Sequence, residues 1–96
     1  MSELIKEKHR WVLRLSEAER VTLEEGARHH PRADARERCA ALLKVAAGQS
    51  PHWVATQGLL VWRDPDSIYQ WLHYYQEEGL LGLLGHRHGG PVRRRL

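Results

Sequence analysis

The side chains in this chain that could do chemistry are few, and their spacing excludes most of it. Seven histidines suggest zinc. His29-His30 and His86-Arg87-His88, however, lack the Cys/His spacing of a structural site, and Cys39 falls on an apolar helical stripe. No metal or cofactor is expected. Glu77 and Glu78 are adjacent, so on a helix they point apart, which is poor geometry for paired acid–base work. There is no glycine-rich phosphate loop and no nucleophile–base constellation. Neither an enzyme nor a small-molecule substrate is expected.

The residue types that remain are those that touch nucleic acid. In RDPDSIYQWLHYYQEEGL, which starts at Arg63, Ile68, Trp71, Leu72 and Tyr75 form a buried stripe at helical spacing. Ser67, Tyr69, Gln70 and His73 are left for the outward face. Glutamine pairs bidentately with adenine, and tyrosine or histidine reaches bases or phosphates. The other reading is an ordinary solvated face. Asp64 and Asp66 are carboxylates that phosphates should repel, with Arg63 the nearest cation. They have a structural reason to be there. Asp64 stands where an N-cap belongs, Pro65 at the first helical position and Asp66 in the first turn, an arrangement worth about 1 kcal/mol.

The elements that position this face follow from local signals. Ser16 with Glu19 is a capping box, and the first clear helix runs from there to about His29, before Pro31. A second helix, roughly Ala33–Ala47, carries Ala35, Cys39, Leu42, Leu43 and Ala46 on one face and stops at Gly48. Ser50 and Pro51 start a short third helix to about Gln57, with Val54 and Ala55 inward. The fourth runs from Pro65 to Glu78 and closes at Gly79. The apolar turn Leu80–Leu84 folds back on the bundle. Residues 1–14 read both ways, as a helical stripe or as a strand-like alternation, and the alternation favours a frayed start followed by an extended piece at Trp11–Leu15. The expected division is 1–14, a helix-turn-helix domain at 15–85 and a basic flexible tail at 86–96.

Short helix, turn, longer helix is the arrangement whose second element lies in the major groove. From Leu15 to about Pro91 the chain resembles the N-terminal DNA-binding region of mariner-like bacterial insertion-sequence transposases. The resemblance rests on LSEAER, ARERCAALLKVAAGQSPHWVA and DSIYQWLHYYQEEGLLGLL. It implies an all-α, homeodomain-like bundle of about four to five short helices that binds transposon ends without the family's catalytic domain. The chain would then be a fragment, a truncated relic or a stand-alone remnant. Two departures stand out. GLLVWRDPD replaces a tighter turn between the helix-turn-helix pair, and Pro65-Asp66 stand where the family often has basic residues.

Charge distribution fits the same partner. The net charge is +3, every acid lies at or before Glu78, and Arg87, Arg93, Arg94 and Arg95 follow. The tail GHRHGGPVRRRL partly matches the family's basic linker, which enters a minor groove, where arginine is favoured electrostatically. The other reading is a basic tail that is simply disordered. A 96-residue chain supports one modest core, and 42% hydrophobic with 28% charged residues is globular. One cysteine gives no disulfide framework, and no apolar run reaches signal-peptide or bilayer length. The expectation is a cytoplasmic, nucleoid-associated protein that binds double-stranded DNA as a monomer or homodimer. The competing expectation is a helical protein-interaction or dimerisation module, paired through Leu80–Leu84 and its aromatic surface.

Overall fold

A computed structural model describes residues 3–7 and 10–85, without the Arg10 side chain. It starts with a β-hairpin, so the all-α expectation is corrected to a mostly helical domain with a small sheet. Strands β1 (Glu3–Glu7) and β2 (Arg10–Arg14) pair antiparallel, with Leu4 opposite Leu13, Ile5 opposite Val12 and Lys6 opposite Trp11. Alternation puts Leu4, Lys6, Trp11 and Leu13 on one face. Leu13 is buried in the core and Leu4 packs against it. The hairpin is thus part of the domain's packing. A two-stranded ribbon is marginal by itself, so burial of Leu13 is what holds it.

Helix α1 (Glu17–His29) begins at the predicted capping box. The Ser16 amide donates to Glu19 Oε1 at 2.9 Å, and the Glu19 amide donates to Ser16 Oγ at 3.2 Å. Helix α2 (Ala33–Ala46) buries Ala35, Cys39, Ala41, Leu42 and Val45, while Leu43 and Ala46 are only half-buried. Helix α3 (Pro51–Trp53) is capped by Ser50, whose Oγ accepts from the Trp53 amide at 3.0 Å. It continues into a π-helical turn, Val54–Gly58, a wider winding than the plain helix expected. Val54 and Ala55 are fully buried, as their positions predict.

Helix α4 spans Pro65–Gly85 with a break at Gly79. There φ is 69°, a left-handed conformation that ends the first segment and suits glycine. The chain then turns Leu83 into the core. Gly82 lets the two segments approach: a Cβ there would stand 2.7 Å from the Tyr74 carbonyl oxygen and 2.4 Å from Glu78 Cβ. The turn after the break is anchored by arginines near the start of α2. Arg38 Nη1 donates to the Leu83 carbonyl and Arg32 Nη2 to the Leu84 carbonyl, both at 2.8 Å. Cations at the last carbonyls of a helix satisfy orphan acceptors and complement its dipole.

Candidate nucleic-acid interface

Asp64 caps α4 as its position predicts. Its Oδ1 accepts from the Asp66 amide at 2.9 Å, and its carbonyl accepts from the Ser67 amide at 2.9 Å. Behind this start lies the buried side of the helix. Ile68 and Leu72 are fully buried, and Trp71 and Tyr75 nearly so. Trp71 packs rather than facing solvent, with the Arg38 guanidinium carbon 5.4 Å from its ring centroid. Burial lowers the Arg38 pKa from its ordinary value.

Three of the residues expected to touch DNA, Ser67, Arg63 and in part Tyr69, are placed differently from the sequence reading. Ser67, expected outward, is buried at 8% exposure. It stands four residues before Trp71 and eight before Tyr75, so helical geometry puts it on their row despite its polarity. Arg63, expected to be the nearest cation for phosphate, is held by Glu37 of α2. Its Nε and Nη2 donate to the two carboxylate oxygens at 2.7 Å each, and this hydrogen bonding raises its pKa. The pair offsets the Arg63 charge and leaves the carboxylates of Asp64 and Asp66 at the helix start. Nothing in the sequence around Arg63 signalled a partner 26 positions away.

Gln70 and His73 do lie on the exposed face, within a strip that runs Asp66, Gln70, His73, Glu77. Acids close both ends of it, and α4 holds no lysine or arginine from Pro65 to Gly85. Tyr69 is half-buried beside the strip and packs against the core. The Trp11 ring meets Tyr69 and His73 edge-on, with centroids at 6.4 Å and 6.2 Å. The hairpin therefore flanks the candidate face, a neighbour that residues 1–14 did not reveal. Arg87, Arg93, Arg94 and Arg95 lie outside the described residues.

A second surface is apolar. In the turn between α3 and α4, Leu60, Val61 and Trp62 are exposed, with Trp53 partly exposed on α3. The turn also walls a groove of about 790 Å³ against Ala33, Ala40 and Lys44 of α2. The Leu80–Leu84 turn offers less, because Leu83 is buried and Leu81 alone stands well out. Among the described residues no three His, Cys, Asp or Glu side chains gather as metal ligands, and no helix is long and apolar enough to cross a membrane. No family model matches the chain, and no curated protein or solved structure is significantly similar to it.

Proposed function

We propose that this domain binds double-stranded DNA in a sequence-specific manner, without catalysis, as a homeodomain-like helix-turn-helix. In this reading α3 and its π-turn support α4, and α4 presents Gln70 and His73 to base edges in the major groove. The observation that carries it is the two-sided character of α4. Its Ile68/Leu72 side is fully buried while Gln70 and His73 stand exposed on another face, after a short capped helix packed on the same core. The sequence resemblance adds a setting, binding to transposon ends.

The test is selection of bound sequences from a random duplex pool, followed by titration of the Gln70→Ala/His73→Ala variant. Both side chains are exposed and the fold should be kept, with stability lowered by no more than about 0.5–1.5 kcal/mol for the lost edge-on contact of His73 with Trp11. Affinity for the selected site should fall by about 1–3 kcal/mol for each base-reading side chain removed. Unchanged affinity overturns the assignment.

The exposed Leu60, Val61 and Trp62 favour a second reading, a protein-interaction module without DNA affinity. Sedimentation separates the two. Salt-insensitive self-association with no duplex binding supports the module, and a salt-sensitive mobility shift supports DNA binding.

A further inference from the structure

A helix that approaches DNA with acids at both ends of its exposed strip needs cations from elsewhere. Affinity for a duplex rests largely on phosphate neutralisation and counterion release. Asp66 and Glu77 bound the Gln70/His73 strip, α4 supplies no lysine or arginine, and Arg63 is already paired with Glu37. Among the described residues, the N-terminal hairpin brings a positive charge, Lys6, to the flank of this face.

The hairpin sorts its charges by face. On the outer face, Glu3 stands opposite Arg14, opposite charges in register, and Glu7 also meets Arg14 at 3.6 Å. On the inner face the deep pair is Leu4–Leu13, and the rim pair is Lys6–Trp11. The cross-strand partner of Lys6 is therefore an indole. Its Nζ lies 5.7 Å from the Trp11 ring centroid, within cation–π range, and the side chain stays exposed. The same indole meets Tyr69 and His73 edge-on. One ring thus separates the Lys6 ammonium from the centre of the α4 strip. Lys8 and Arg10 follow Lys6 closely in sequence.

We propose that the hairpin is the backbone-contacting arm of the interface, with Lys6 taking a phosphate of the duplex while Gln70 and His73 face the bases. Trp11 is the positioning residue, since its ring fixes where the lysine stands relative to α4. This inference rests on the DNA-binding reading above.

The experiment titrates full-length protein with a selected duplex and a random duplex of equal length, at several salt concentrations. The proteins are the wild type, Lys6→Gln, Lys6→Arg and Gln70→Ala/His73→Ala, each checked by thermal unfolding. Lys6→Gln should lower the salt slope by about 0.9, which is about fivefold weaker binding at 0.15 M salt, equally on both duplexes. The preferred sequence should not change, and Lys6→Arg should restore the wild-type slope. A merely structural role for Lys6 would shift the melting temperature and leave the slope alone. An unaltered slope in Lys6→Gln, with binding still lowered in Gln70→Ala/His73→Ala, overturns the hairpin's role and leaves the α4 reading standing. A wild type that binds neither duplex at any salt concentration overturns both.

Discussion

Arg63 and Glu37 face each other as a fork, two parallel 2.7 Å hydrogen bonds tying the turn before α4 to α2. Both side chains are largely sheltered, Glu37 at 17% exposure and Arg63 at 35%. The Arg63 backbone amide also donates to the Ala55 carbonyl at 2.8 Å, so the residue holds the end of the long turn twice. Bidentate, charge-assisted geometry of this kind is stronger than an exposed ion pair.

Arg63→Ala should therefore act on stability first. It leaves the Glu37 carboxylate sheltered without its partner, at a cost of about 1–3 kcal/mol. Urea denaturation of Arg63→Ala, Glu37→Ala and the double variant measures the coupling. Additive losses in that cycle would show the fork contributes nothing as a pair.

The capping carboxylate gives a sharper contrast. Asp64→Ala removes the acceptor for the Asp66 amide and should lower stability by about 0.5–2 kcal/mol. Asp66→Ala should matter less to the fold. On the DNA-binding reading, removing its charge from the strip should tighten binding to random duplex. Thermal unfolding ranks the two variants, and equal stabilities would contradict the cap.

Gly82→Ala tests the doubled-back end of α4. Its Cβ would meet the Tyr74 carbonyl oxygen, a backbone atom that yields only if the Gly79 turn opens. Overpacking of this kind costs about 1–3 kcal/mol. Hydrogen exchange should show the weakening centred on residues 80–85, and protection there equal to the wild type would refute it.

Alkaline pH should destabilise the domain through two buried acids. Burial pushes the Cys39 thiol up to about 11. The Tyr75 phenol is pushed up to about 12 by burial first and the Glu19 charge next. Their ordinary values are 9.0 and 10.0, so above pH 9 the unfolded chain releases protons that the folded chain retains. Stability is intact below that point and falls as pH rises towards the folded values. In denaturation midpoints between pH 8 and about 11, the gap between wild type and Cys39→Ala should narrow. A constant gap would mean that Cys39 does not titrate differently in the two states.

The tail gives a prediction from sequence. Arg93, Arg94 and Arg95 follow Gly89-Gly90-Pro91. On the DNA-binding reading, truncation after Pro91 should weaken binding similarly on selected and random duplexes, lowering the salt slope by about 0.9 for each phosphate no longer neutralised. An identical slope in both proteins would make the tail a bystander.

What the sequence determined by itself was local. The Ser16/Glu19 box, the Ser50 and Asp64 caps, the turn at Gly79 and the Ile68/Trp71/Leu72/Tyr75 stripe are set by residues within a few positions of one another. Such signals survive in a one-dimensional reading because the hydrogen bonds that create them span one turn of chain. Helical geometry also held the correct place for Ser67, although its polarity argued for solvent. Tertiary structure decided the rest, through partners far apart in sequence. Leu13 holds a hairpin of which the sequence suggested only the extended piece at Trp11–Leu15, because a ribbon of two short strands forms only against a surface. Arg38 is buried because the Leu83 carbonyl and the Trp71 ring wait for it across the core. Arg63 is neutralised by Glu37, and the flank of the α4 strip is set by Trp11. In each case burial and charge pairing depend on which elements meet, and that is a property of the packed chain.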